Sequence, residues 1–157
     1  MKITDNKFYD LGVLGSYQGV GVYLQGLTDW ATTGNTFAAI IDGNEFFNLA
    51  DKDAAEPGVG VGIESPNTAN NEAANAKISN NNFSNVSVGF AAVGGSVTDA
   101  QVELNNFNNS TLINLDVGSL DASPNWWGNV TGPTSSQITG EVNYSPWCAD
   151  ELCSNII

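Results

Sequence analysis

The chain has 157 residues, which is enough for one domain with a buried core. Its 17 acidic residues stand against four lysines, and with no arginine or histidine the formal net charge is −13. A surface of that sign repels nucleic acids, anionic membranes and polyanionic sugars, so cations, neutral glycans and neutral protein surfaces remain as partners. The apolar share of 41% argues against disorder.

A short motif, Ile-x-x-Asn-x-Phe, recurs along the chain. Its copies are Ile3-Asn6-Phe8, Ile41-Asn44-Phe46 and Ile78-Asn81-Phe83, then Val102-Asn105-Phe107 and an altered copy at Asn125-Trp126-Trp127. The intervals between successive asparagines are 38, 37, 24 and 20 residues (44−6, 81−44, 105−81 and 125−105). Self-similarity of this kind predicts a solenoid of stacked repeats.

A second apolar segment follows each of the first four copies. These segments begin at Val20, Val59, Val88 and Leu112, and they alternate with period two among β-branched and aromatic residues. This pattern predicts strands, and no stretch shows the apolar stripe of a helix. We therefore expect an all-β chain.

The motif also predicts columns of identical side chains. We expect the chain to bend at each asparagine, because Asn tolerates the left-handed backbone region, and we expect the flanking Ile and Phe to point inward. Stacked strands lie about 4.8 Å apart, so equivalent residues would form ladders. The predicted ladders are Asn6, Asn44, Asn81 and Asn105, and Phe8, Phe46, Phe83 and Phe107. The alternative is that asparagine is simply common, since the chain contains 21.

The first two repeats are longer than the later ones, and we expect their extra residues to form loops at two corners of the stack. One pair of loops would be Gly12 to Gln18 beside Ala50 to Pro57, and the other Leu27 to Asn35 beside Glu64 to Asn75. Tyr17 and Trp30 lie in these loops and are candidate ligand-binding residues. Trp30 would either stack on a sugar ring or pack over the coil below it.

Three carboxylates in one of these loops, Asp51, Asp53 and Glu56, form a speculative calcium site. Their spacing is not that of an EF-hand, and a solvated acidic loop is the simpler interpretation. No other cofactor is predicted.

Cys148 and Cys153 lie close together near the end of the chain. A zinc site needs about four ligands, and without histidine only carboxylates could complete it, so a metal site is disfavoured. A small disulfide-closed loop in an oxidising, extracytoplasmic setting is the first interpretation, and free thiols are the second. Because Met1 runs almost directly into the first motif, we expect either that a leader was removed or that the chain is a piece of a longer one.

The segment from Leu120 to Trp147 resembles the closing element of right-handed parallel β-helix repeat proteins, the pectin-lyase-like family. The matching residues are Asp121-Ala122, Asn125 to Gly128, Gly132-Pro133 and Pro146-Trp147. The resemblance implies a right-handed parallel β-helix of about five coils, with long loops on the first two. Residues 1–157 would form one domain, with repeat coils at 1–119 and a capping coil and Cys-containing tail at 120–157. In such a cap, Trp126, Trp127 and Trp147 would cover the open end of the core.

The resemblance also raises the question of catalysis, because the family includes polysaccharide lyases, hydrolases and epimerases. Lyases need a base and a cation or metal beside the substrate carboxylate, and none of the family's catalytic patterns transfers to this chain. We therefore expect a non-catalytic module with a structural, adhesive or self-assembling role at a cell surface. Its partners would be copies of itself or other surface proteins at the uncapped N-terminal end, with neutral glycans as further candidates. The alternative is a carbohydrate-binding or polysaccharide-degrading module.

Overall fold

The computed structural model describes residues 1–12, 18–25, 38–52, 57–64, 75–93, 100–115 and 119–157. All regular elements in this part of the chain are β-strands, so the prediction of an all-β chain is confirmed. The strands are β1 Lys2–Thr4, β2 Lys7–Tyr9, β3 Val20–Gln25, β4 Ala38–Asp42, β5 Glu45–Leu49, β6 Val59–Glu64, β7 Asn75–Ser79, β8 Asn82–Val86, β9 Val88–Val93, β10 Gln101–Glu103, β11 Thr111–Asn114, β12 Leu120–Asp121, β13 Ile138–Thr139 and β14 Val142–Asn143.

These strands form three parallel sheets. Sheet A has the order β1-β4-β7-β10-β12-β14, sheet B has the order β2-β5-β8, and sheet C has the order β3-β6-β9-β11-β13. From β1 to β9 the chain contributes one strand to sheet A, then one to sheet B, then one to sheet C, three times in succession. We call one such set of strands a coil. Equivalent residues of successive coils pair directly, as Ile3 pairs with Ile41 and Ile41 with Ile78. This topology is consistent with a parallel β-helix.

The core is filled by a column of stacked aromatic rings. Phe8, Phe46, Phe83, Phe107 and Trp127 stack with ring centroids 4.9 to 5.0 Å apart and planes within 16° of parallel. The spacing follows from the strand separation, because each ring is attached to the same position of successive coils. The three middle phenylalanines are completely buried, so the column forms the centre of the hydrophobic core.

A column of glycines in sheet C faces these rings. A Cβ atom at Gly21, Gly60 or Gly89 would lie 2.5 to 2.6 Å from the ring of Phe46, Phe83 or Phe107, respectively. Each glycine follows a valine that pairs in register with its counterparts, Val20, Val59 and Val88. The glycine of the Val-Gly pair that opens each of these segments therefore leaves the space that the motif's phenylalanine ring occupies.

A second internal column consists of asparagine side chains at the bend between sheets A and B. The side-chain oxygen of Asn81 accepts hydrogen bonds from the backbone N and the Nδ2 of Asn44, at 2.9 and 3.0 Å. Asn81 in turn donates from the same two atoms to Asn105, and Asn105 to Asn125. Each internal amide also donates to a main-chain carbonyl of the preceding coil, as Asn81 does to Ile41. These buried amides are thus fully hydrogen-bonded, as burial requires.

The prediction that the chain bends at these asparagines through left-handed conformations is wrong by one residue. The left-handed residues are their predecessors, Asp5, Gly43, Asn80 and Leu104, with φ between 55° and 67°. The asparagines contribute their amides to the column, and the preceding residue makes the bend.

A second bend, near the C-terminal ends of the sheet B strands, has its own column of left-handed residues, which are exposed or partly exposed. These are Asp10, Asn48, Asn85 and Asn109, with φ between 54° and 61°. Asn48 donates to Asp10 at 2.6 Å and Asn85 donates to Asn48 at 2.9 Å. The columns at both bends show that asparagine serves two separate purposes in this fold: filling buried hydrogen-bond positions and tolerating positive φ.

Candidate functional site

Most of the predicted loop residues lie outside the described residues. This applies to Tyr17, Trp30, Asp53 and Glu56, and to most of the four predicted loop segments. Among the described residues, no three His, Cys, Asp or Glu side chains come close enough to share a metal ion.

Asp51, the described member of the speculative calcium set, makes two local hydrogen bonds. Its Oδ1 accepts from the backbone of Gly58 at 2.6 Å, and its Oδ2 accepts from the hydroxyl of Ser87 at 2.9 Å. The carboxylate therefore links the residue before β6 to Ser87 of the next coil. This arrangement gives Asp51 a structural role in the part of the molecule that the structure describes.

The C-terminal end of the stack is closed by the residues of the cap motif. Trp127 is 2% exposed and stacks on Phe107 as the last ring of the column. Trp126 is half-buried and continues sheet B by pairing with Asn106. Trp147 packs against the core cluster, and its indole donates to the carbonyl of Val130 at 3.0 Å.

The position of Trp147 explains why the Gly-Pro element begins with a glycine. Gly132 has φ of 82°, and a Cβ at this position would lie 2.8 Å from the ring of Trp147. Any larger residue would displace the tryptophan from the end of the stack. The cap motif is thus a set of mutually packed residues.

Beyond the cap, the tail folds back and pairs antiparallel. Cys148 continues the stack by donating its backbone N–H to Asn125 at 3.0 Å, and it forms an antiparallel bridge with Ile156. The predicted disulfide between Cys148 and Cys153 is present and closes the turn between these segments. The antiparallel return occupies the strand edge that a further coil would need on this side of the stack.

The N-terminal end is open by comparison. Ile3 and Phe8 are half-buried, whereas their counterparts Ile41 and Phe46 are completely buried. Asn6 is exposed, whereas the other asparagines of the column are at most 1% exposed. The first coil therefore presents the partly exposed core-type side chains of β1 and β2 at this end of the stack.

Charge also distinguishes this end. The side chains of residues 1–12 sum to zero, because Lys2 and Lys7 balance Asp5 and Asp10. The remaining residues, 13–157, therefore carry the whole formal charge of −13. Lys7 forms an ion pair with Glu45 at 2.7 Å, and this contact raises the lysine pKa. Residues 1–12 are therefore neutral in sum on a strongly acidic chain.

The outer face of sheet C carries a shallow apolar groove of about 260 Å³. It is lined mainly by Val20, Tyr23, Val59, Ala91 and Val93. Tyr23 is 55% exposed, and it lies beside a glycine, Gly62, whose missing side chain leaves the sheet surface flat. A flat apolar floor with one aromatic wall is suited to the apolar face of a small ligand.

No protein family matches the chain, and no curated protein or solved structure shows significant similarity to it. The described residues also contain no helix with the length and hydrophobicity needed to cross a bilayer. The functional proposal therefore depends on the two unequal ends of the stack and on the outer face of sheet C.

Proposed function

We propose that the chain is a non-catalytic structural module, a right-handed parallel β-helix of about five coils with long loops on the first two. It acts at a cell surface or in an extracellular assembly, where it joins other polypeptide chains end-on through its N-terminal coil. The resemblance of the cap segment to pectin-lyase-like proteins and the disulfide support this assignment.

The observation that carries the proposal is the inequality of the two ends. Apolar core side chains and strand edges that are exposed at the end of a solenoid tend to associate with other surfaces. Here Phe8 and Ile3 are available at one end, while Trp127, Trp147 and the disulfide-closed tail cover the other. Because residues 1–12 are neutral in sum, electrostatic repulsion between acidic molecules is also weaker at this end.

Sedimentation over a wide concentration range tests this proposal. We expect weak, concentration-dependent association of the wild type, because the apolar area at the end of one coil is small. Phe8→Glu should abolish the association, whereas Phe47→Glu, on the outer face of sheet B, should leave it unchanged. A mass that stays that of one chain at every concentration would count against an adhesive end.

The groove on sheet C supports a second candidate, a carbohydrate-binding module. Tyr23 stands exposed over the flat surface at Gly62, an arrangement that suits stacking on a neutral sugar. The same face would serve the polysaccharide-degrading alternative, for which the described residues offer no matched catalytic pattern.

A glycan array separates the two candidates. If the groove binds sugars, Tyr23→Ala should lose the signal. Tyr9→Ala, which removes a similarly exposed tyrosine from sheet B, should retain it. Absence of binding by the wild type to any neutral glycan would dismiss this candidate and leave the structural role unaffected.

A further inference from the structure

We propose that the N-terminal end is a docking face for one kind of partner, a polypeptide coil of the same pattern. This coil would run parallel to β1 and β2 and carry an asparagine directly below Asn6. The inference depends on the proposed end-on function and specifies the chemistry and orientation of the partner.

The hydrogen bonds of an internal rung define what the partner must supply. The Oδ1 of Asn44 accepts from the backbone N and the Nδ2 of Asn6, at 2.9 and 3.2 Å. The Nδ2 of Asn44 also donates to the carbonyl of Ile3 at 3.0 Å. Asn44 thus uses three hydrogen bonds to the coil before it.

On its outer side, Asn6 has no counterpart of these three bonds among the described residues. Its backbone N and Nδ2 donate to Asn44, and its Nδ2 also donates to Thr4, but no described residue donates to its Oδ1. Asn6 is exposed, so water can donate to this oxygen; a partner that buries Asn6 must supply a donor in its place, because a buried amide oxygen without one is unfavourable.

The direction of the column determines which partner fits. Along the column, each internal amide oxygen accepts from the asparagine of the coil before it, so the N-terminal end presents an amide acceptor and lacks the matching donors. A parallel coil supplies them from the backbone N–H and Nδ2 of its own asparagine, and its isoleucine carbonyl accepts from Asn6. Its isoleucine and phenylalanine would also complete the burial of Ile3 and Phe8.

A second copy of this chain is a poorer fit in either orientation. Two N-terminal ends placed face to face would each present the Asn6 acceptor without the donors that an internal rung supplies to it. Placed end to tail, the copy would meet the antiparallel pairing of Cys148 with Ile156. Contact between copies is therefore weak, and a parallel coil satisfies the face.

A fusion protein tests the inference. A second copy of residues 38–75 is placed before Met1, which sets its Ile41 37 residues before Ile3, the interval that separates Ile41 from Ile78 (78−41). The matched control carries Asn44→Val in the added copy only. A second fusion carries a copy of residues 75–99 before Met1 and reproduces the shorter interval of 24 residues (102−78). It replaces the first fusion if the copy of residues 38–75 prevents folding.

Amide hydrogen exchange of residues 2–9 is the measurement, with residues 82–86 reporting that the core is folded. We expect exchange of residues 2–9 to slow by at least about tenfold in the fusion, with a clearly smaller change in the control. Unchanged exchange in a folded fusion would overturn the docking face, and equal protection in fusion and control would overturn the role of asparagine. Neither result depends on the sedimentation of the wild type, whose failure to associate would count against the proposed function instead.

Discussion

Gly60 lies against the ring of Phe83, and a Cβ on that glycine would come within 2.5 Å of the ring carbon Cε1. The neighbouring rings of Phe46 and Phe107 stack on Phe83 from both sides at 5.0 Å, so the ring has little room to move away. The close approach of sheet C to the aromatic column therefore depends on the absence of a side chain at this position.

Gly60→Ala should lower the free energy of unfolding by about 1 to 3 kcal/mol, because the added methyl group overpacks the core. Chemical denaturation followed by intrinsic fluorescence measures the loss. Gly62→Ala in the same strand is the control, since its Cβ would meet the exposed ring of Tyr23 at 3.1 Å, which can shift. Equal losses in both variants would contradict the packing argument.

The aromatic column should be the largest single source of packing energy. Phe46 is 0% exposed and Phe47, the next residue of β5, is 46% exposed. Phe46→Ala should therefore cost about 3 to 5 kcal/mol, and Phe47→Ala should cost less than about 1 kcal/mol. Thermal unfolding of the two variants beside the wild type makes the comparison, and similar melting temperatures would argue against a column of this importance.

The buried amides should be equally sensitive to truncation. Asn81→Ala removes the acceptor of two donors on Asn44 and the donor to the carbonyl of Ile41. Leaving these groups buried without partners should cost about 2 to 4 kcal/mol. Asn143→Ala, at an exposed position with a long 3.4 Å contact to Asp121, should change stability by less than about 0.5 kcal/mol. A denaturant titration in which the two variants coincide would remove the argument for the ladder.

Asp42 should contribute to the acid sensitivity of the fold. Hydrogen bonds from Asn80 and Ser79 lower the pKa of its carboxyl below the ordinary value of 3.8. A lowered pKa in the folded state stabilises the protein above that value, and the contribution is lost as the pH falls toward the folded pKa. Asp42→Asn should therefore show a shallower loss of stability than the wild type below about pH 4. Parallel curves for the two proteins would show that these hydrogen bonds carry no linkage to protonation.

The disulfide should stabilise the tail and not the centre of the stack. Cys153→Ser opens the loop that holds Ile156 and Ile157 against Trp147 and Cys148. Amide exchange of residues 147–157 should become faster, while residues 82–86 of β8 should keep their protection. Uniform loss of protection along the chain would show instead that the tail is coupled to the entire fold.

The sequence indicates the two internal columns because they are formed by the same residue type in every coil. Asn44 and Asn81 occupy equivalent environments, and so do Phe46 and Phe83. Because equivalent positions take the same residue type, the motif recurs in the sequence. The glycine column is not among the features predicted from the sequence, although the recurring Val-Gly pairs that contain Gly21, Gly60 and Gly89 could indicate it. Their significance appears only when the ring opposite them is known.

Other features leave a weaker trace in the sequence. The residue with positive φ before each asparagine is Asp, Gly, Asn and Leu in turn, and only the first three of these types suggest a bend. Leu104 adopts the conformation because its neighbours on both sides are fixed by hydrogen bonds of the coil, as Asn105 is to Asn125. The antiparallel return of the tail is formed by backbone contacts of residues 147–149 with residues 155–157, and no repeat in the sequence indicates it.

The intervals between asparagines shorten from 38 to 20 residues along the chain, but their amides stay within hydrogen-bond distance of one another. In each repeat, the positions that form the columns are thus separate from the connecting segments whose length varies. Insertions and deletions between strands leave the columns undisturbed, so natural variation can change the surface without a compensating change in the core. The same separation makes the segments between the strands suitable sites for grafting foreign peptides.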